Sequence, residues 1–174
     1  DSYLAKALLI ESEAHRILGN HRAALDQAEK AWHYYEKWTI LDGMAEVHAL
    51  RGSVYAILGH QAKAMEACRD AMAFFQESGN ARGEIRALNS LGRVYREIGD
   101  SVRAIECFEQ AYDLAQQEDD LEWMSFHALN NLGLVYHDLE DYNTALDYYA
   151  QALAVEAPTE KASVAGCYTH VGQI

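Results

Sequence analysis

Apolar residues recur along this chain at helical spacing. Leu4, Ala7, Leu8 and Ala14 share one face of a helix predicted over residues 2–18, and Ala24, Leu25, Ala28, Ala31, Trp32 and Tyr35 mark a second over 21–38. The same reading predicts helices over 42–58, 61–77, 82–98, 101–117, 121–139 and 142–155, and the start of another over 159–173. Gly19-Asn20, Gly59-His60 and Gly99-Asp100 turn the chain between them, with Asn20 and Asp100 placed to cap the helix that follows. Ser78-Gly79-Asn80 has the residues of a helix C-terminus, and Pro158 stands where a helix cannot continue. The acidic run 117–120 reads as a solvated loop.

Small residues recur with a longer period. Gly92 is followed after seven residues by Gly99, after twelve by Ala104 and after nineteen by Ala111. Gly52 is followed at the same spacings by Gly59, Ala64 and Ala71, Gly133 by Glu140, Ala145 and Ala152, and Ser12 by Gly19, Ala24 and Ala31. Ser12, Gly52, Gly92, Gly133 and Gly172 lie 40, 40, 41 and 39 residues apart, a fixed period that predicts a solenoid of stacked helix pairs. Glycine within a helix costs about 1 kcal/mol against alanine, a cost tolerated where another helix passes close. Ala104 and Ala145 are the small surfaces expected to face Gly92 and Gly133. Tyr95 and Tyr136 fill the space beside the contact, and Phe108 and Tyr149 are the large knobs of the second helices.

The pattern L-G-x2-Y followed by A-x3-[FY]-x2-A resembles the tetratricopeptide repeat. Leu91-Gly92-Arg93-Val94-Tyr95 and Leu132-Gly133-Leu134-Val135-Tyr136 match it residue by residue. Arg51-Gly52-Ser53-Val54-Tyr55 is looser, with Cys68 as its knob, and the first repeat has Ser12, His15 and Ala28 at these places. The resemblance implies an all-α, right-handed α-solenoid of tandem antiparallel helix pairs. Its repeats would span about 2–39, 42–79, 82–118 and 121–156, with a partial fifth at 159–174, in a parent protein expected to continue. The period near 40 exceeds the usual 34 or so. The spacings inside each pair are unchanged, so the extra residues fall at 38–45, 76–83 and 116–124 and read as longer helices. Repeats of this length are similar to those of regulatory proteins: bacterial peptide sensors, signalling proteins with appended output domains, and G-protein regulators of cell polarity.

Composition narrows the function. No run approaches 18 apolar residues, so no membrane span is predicted. A formal charge of −13 argues against nucleic-acid binding, which needs a basic surface. Cys68, Cys107 and Cys167 have neither disulfide-framework nor zinc-site spacing; they read as small core residues and point to a reducing, cytoplasmic location. Asp1 is not a natural start, which leaves room for a removed signal peptide. HExxH, GxSxG, CxxC and Gly-rich phosphate loops are absent, and the histidines are dispersed, with His15 and His48 at repeat-core positions. No catalytic residue, cofactor or metal is expected.

In tetratricopeptide arrays the first helices of successive repeats line a concave groove. Helical spacing then puts Lys6, Leu9, Glu13 and Arg16 on the groove face, followed by Glu46, Ala49, Ser53, Ala56 and Ile57. The third repeat adds Arg86, Asn89, Arg93, Arg96 and Glu97, and the fourth His127, Asn130, Leu134, His137 and Asp138. Asn131 matches the groove asparagine of the family, two residues before the motif glycine; such an amide can grip a peptide backbone as donor and acceptor. The resemblance therefore implies a non-catalytic module that binds a protein or peptide through Arg86, Asn89, Arg93, Arg96, His127, Asn130, Asn131 and His137. The arginines suit acidic residues in the ligand. Two roles stay open to them: binding that ligand, or pairing with Glu97, Asp138 and other carboxylates across repeats. The alternative function is a regulatory input domain that senses a peptide or small ligand and controls an attached output domain. Trp32, Tyr34, Tyr35 and Trp38 are either packing at a helix end or a partner-facing patch. Val164, Val171 and Ile174, on a helix with no partner after it, predict fraying or self-association there.

Overall fold

The computed structural model describes residues 2–118 and 120–155. The predicted fifth repeat, with Cys167, Val164, Val171 and Ile174, lies outside the described residues. The helices are α1 (Ser2–Ile17), α2 (His21–Lys37), α3 (Leu41–Ile57), α4 (Gln61–Ser78), α5 (Ala81–Glu97), α6 (Ser101–Gln117), α7 (Ser125–Asp138) and α8 (Tyr142–Ala154), with a 3-10 turn, Glu122–Met124, before α7. They pair as α1/α2, α3/α4, α5/α6 and α7/α8 in a right-handed α-solenoid. The odd-numbered helices also touch in series, α1 on α3, α3 on α5 and α5 on α7, while the even-numbered ones approach one another less closely. The odd-numbered helices therefore form the inner, tighter layer.

Volume is traded across the centre of each pair. A Cβ added to Gly92 would lie 2.6 Å from Cε1 of Phe108, and Gly133 is covered in the same way by the ring of Tyr149. The rings themselves, rather than Ala104 and Ala145 as expected, seal the two glycines. The alanines are fully buried and let the helix axes approach. At Gly52 the smaller knob is Cys68, whose Sγ would stand 2.8 Å from an added Cβ. In the first pair the knob shrinks to Ala28 and the glycine becomes Ser12, whose buried hydroxyl donates to the carbonyl of Ala24 at 2.6 Å.

The seams between pairs use a second trade, which the sequence reading missed. Tyr35 lies on Gly43 and Phe75 on Gly83, so close that a Cβ at either glycine would collide with the ring. At the third seam the knob is Ala115, and Met124, nine residues before Gly133 as Gly43 and Gly83 are before Gly52 and Gly92, supplies the volume. The predicted continuous helix over 121–139 is corrected here. Its first part is the 3-10 turn, and α7 begins at Ser125. At the first two seams the extra length of the repeat is helix, as expected: α2 and α4 have 17 and 18 residues, with 38–40 and 79–80 as the connections.

The turns share one backbone form. Gly19, Gly59, Gly79 and Gly99 have φ between +72° and +79°. Glu140 and Thr39 take the same left-handed form at +61° and +50°, where a side chain is strained. Asp100 caps α6 as predicted, its Oδ1 accepting from the amide of Arg103 at 3.1 Å. Asn80 and Asp141 cap α5 and α8 in the same way. Asn20 does not; its side chain makes no capping hydrogen bond to α2.

Candidate functional site

The inner layer encloses an open cavity of about 670 Å³ between α1, α3 and α5. Its floor is apolar and small: Leu9, Ala49, Leu50, Gly52, Ala56 and Val94. Its rim is charged: Lys6, Glu13 and Arg16 from α1, Glu46 from α3, and Arg86, Arg93 and Glu97 from α5. All four residues assigned to the groove on α1 line it, as do Glu46, Ala49, Ser53 and Ala56 of α3; Ile57 does not.

The charges on the rim are differently employed. Glu13 holds Arg16 in a two-point pair at 2.6 and 2.7 Å. That contact keeps the Glu13 carboxyl below its ordinary value, with Arg86 adding to the effect. Glu46 has no such pair. Partial burial desolvates its carboxyl and raises it above the ordinary value, with Asp42 adding to the effect, against the pull of Arg86 and Lys6. Arg86 and Arg93 form no ion pair among the described residues.

The other candidates on α5 are committed elsewhere. Arg96 donates through Nε to Asp138 of α7 at 2.6 Å. Asn89 donates to the carbonyl of Ile85 and accepts from Nδ2 of Asn131 at 3.1 Å. These two links join α5 to α7. Of the remaining candidates, Oδ1 of Asn130 is buried without a donor. His127 lies edge-on to Phe126 with ring centroids 5.5 Å apart, and His137 to Tyr142 at the same distance. Of the eight predicted residues, Arg86 and Arg93 open into the cavity, Asn89, Arg96 and Asn131 make the links of the α5/α7 seam, and His127, Asn130 and His137 stand on α7 in neither group. The sequence reading ranked both groups together and left the cavity floor unranked.

Both described cysteines are core residues. Burial pushes the Cys68 and Cys107 thiols up to about 11, so neither is a reactive thiolate at neutral pH. His48 sits between Trp32 and Phe74, its Nδ1 3.4 Å from Asp70; burial lowers its pKa despite that carboxylate. The aromatic group at the end of α2 divides. Trp32, Tyr34 and Tyr35 pack into the core, whereas Trp38 is 61% exposed beneath the Lys37 ammonium. Among the described residues no group of side chains could hold a metal ion, and no helix is long and apolar enough to cross a membrane.

Solved structures share this architecture at low sequence identity. BtubC (BKLC) from P. vanneervenii superposes with a TM-score of 0.79 at 18% identity, over 98% of this chain and 74% of that one. Aspartyl phosphate phosphatase F from Bacillus subtilis gives 0.81 at 13% identity, over 99% of this chain and 50% of its own length. The apo form of RapI gives 0.80 at 15% identity, over 97% and 64%. The chain thus spans half of the phosphatase and about two thirds of RapI, and at these identities the likeness is one of fold. No curated protein matches the sequence. Two family models described as tetratricopeptide repeat match residues 40–117 and 127–156, over the three helix pairs with the clearest glycine-and-knob pattern. With its stacked helix pairs and its inner groove, the chain belongs to the tetratricopeptide repeat family, a helical repeat module for protein–protein interaction.

Proposed function

We propose that this chain is a non-catalytic module that binds an acidic peptide segment of a partner protein in the α1/α3/α5 cavity, with Arg86 and Arg93 as its anchors. One observation carries the reading: in a chain of formal charge −13, two arginines open into the cavity with no ion-paired carboxylate among the described residues. They are seven residues apart on α5, hence on one side of the helix and about 10 Å apart along it. That spacing suits two carboxylates of one ligand. Screening over about 8 Å at physiological salt removes much of the long-range repulsion by the rest of the protein. The apolar floor accepts a small side chain between the two charges. Asn89 and Arg96 of α5, held by their α7 partners, and His127, Asn130, Asn131 and His137 of α7 border an extension of the same ligand.

Binding of an acidic peptide library, read by fluorescence anisotropy, tests this. Wild type should select sequences with paired acidic residues, and Arg86→Glu with Arg93→Glu should lose them while keeping its helical circular dichroism. Equal selection by both proteins sinks the proposal.

A second reading, a regulatory input domain, draws on the α5–α7 links. A ligand that pulls on α5 from the cavity would strain the Arg96–Asp138 pair and shift α7, and with it an attached output domain. Small-angle scattering with and without peptide tests it; identical profiles exclude such a shift.

A further inference from the structure

We propose that His48 and Asp70 make the seam between the first two helix pairs a pH-sensitive joint, packed while the imidazole is neutral and loosened once it takes a proton. Three rings meet there. His48 of α3 lies edge-on to Trp32 of α2 with ring centroids 4.8 Å apart, and 5.7 Å from Phe74 of α4. The two outer rings are themselves 6.1 Å apart, so His48 belongs to the contact that joins α2 to α4. Its Nδ1 stands 3.4 Å from Oδ2 of Asp70, and its side chain is only 14% exposed.

The repeat itself shows that packing does not require a histidine at this place. One period on, Trp32, His48 and Phe74 become Met72, Leu88 and Leu114, which share one apolar cluster. At the third seam Tyr112, Leu129 and Val155 stand at the same positions and again pack together. Asp70 becomes Gln110 and then Gln151. The titratable pair therefore occupies one seam of three, and the other two have leucine and glutamine instead.

A neutral imidazole has one N–H to place, and Asp70 faces it. Protonation makes donors of both nitrogens, so water must reach the second one among the rings. Trp32 offers the new charge little, because its ring already carries the Arg51 guanidinium at 5.6 Å. Burial is the largest influence on His48 and lowers its pKa; Asp70 of α4 raises it, Arg51 of α3 lowers it and Glu66 of α4 raises it. From α2, Glu29 is paired with Arg51. The neutral form is thus favoured in the folded chain. Its contribution to stability is fully present above the ordinary value of 6.5 and is lost as pH falls through the lowered one. Because α3 also brings Glu46 and Ala49 to the cavity, the joint reaches the cavity wall whatever the cavity binds.

Proton NMR of the imidazole Cε1 proton, followed between about pH 5 and 8, tests this, the His48 signal being the one missing from His48→Leu. It should titrate below 6.5. Amide exchange, corrected for its intrinsic pH dependence, should quicken several-fold across α2, α3 and α4 as His48 takes its proton, and stay unchanged across α6, α7 and α8. His48→Leu, which gives this seam the leucine of the other two, should lose that response. Asp70→Asn should stay folded, since the carboxylate is half exposed, and should move the midpoint to lower pH, because it removes an influence that favours the cation. Glu46 cannot imitate the effect: its raised carboxyl adds stability as pH falls, the opposite sign. The proposal is overturned if His48 titrates at or above 6.5, or if exchange across α2, α3 and α4 does not respond. It is also overturned if the response persists in His48→Leu or spreads over α6, α7 and α8, or if Asp70→Asn leaves the midpoint where it was.

Discussion

The inner face of the solenoid has two halves that share one helix and differ in what lies opposite it. Arg86 and Arg93 form one row along α5, and Asn89 and Arg96 form another. Each row has a spacing of seven residues, and three residues separate the rows, a rotation of about 60° around the helix. The first row lines the cavity opposite Ala49, Ser53 and Ala56 of α3, which are too short and too weakly polar to answer a guanidinium, and Glu46 of α3 attracts Arg86 without forming an ion pair. The second leans toward α7, where Asn131 and Asp138 meet it at 3.1 and 2.6 Å. Two arginines three residues apart on one helix thus have opposite fates, decided by the neighbouring repeat. A cationic stripe becomes an open site only where the facing helix is small.

Unseating α5 breaks the comparison at its root. In Gly92→Leu the new side chain must enter the space of the Phe108 ring, which already lies 2.6 Å from an added Cβ. We expect a loss of about 3 kcal/mol or more in urea unfolding, since overpacking at a close helix contact resists relaxation. Both rows should fail together, because stability in a repeat array passes between neighbours. An unfolding midpoint equal to that of wild type would show that this contact is slack.

Charge removal separates the halves. Arg93→Ala should weaken binding of an acidic peptide by about 2 kcal/mol, the lower end of the range for a desolvated charge pair. Arg96→Ala should cost much less, because Arg96 already has Asp138 and loses its pairing to α7 whether or not ligand is bound. Equal losses in the two variants, read by anisotropy, would mean that the ligand displaces Asp138 and that the halves form one site.

Much of this was legible in the sequence. The 40-residue period, the glycine-and-knob pairs at Gly92 and Gly133, and the Asp100 cap all follow from residue types at fixed spacings. What was missed involves partners in a different repeat. Gly43 and Gly83 carry the same period, each eight residues after an aromatic, but the aromatic belongs to the helix before. Ala115 and Met124 are the inverse of that pair, and Met124 closes the 3-10 turn at Glu122–Met124. The groove rows resisted for the same reason. A helical wheel places Arg86, Asn89, Arg93 and Arg96 in one narrow sector, and only α3 and α7 tell them apart.

Asp138→Ala sharpens the comparison from the other side. It frees Arg96 without touching the cavity. The pair is partly exposed, so the stability loss should stay below about 1 kcal/mol. Peptides long enough to reach α7 should gain affinity, while short ones confined to the cavity should not. A gain for both would place the effect in the overall charge rather than at Arg96.

The smallest effect separates the cavity from the seam by pH. Glu46 stands on the cavity rim, its carboxyl raised by desolvation. The native protein therefore binds this proton more tightly than the unfolded chain does. Its contribution to stability is fully present below the ordinary value of 4.5 and is lost as pH rises through the raised value. An acidic ligand acts in the same direction, because its carboxylates repel an ionised Glu46 and favour the protonated form. Binding in the cavity should take up a proton, and affinity should fall a few-fold as pH rises through the window above 4.5. Ordinary ligand carboxyls, with values near 4, stay ionised over most of that window, so they do not mimic the trend. Glu46→Gln should flatten the profile and bind more tightly than wild type at neutral pH. A slope that persists in the variant would assign the proton to another group and remove Glu46 from the ligand's surroundings.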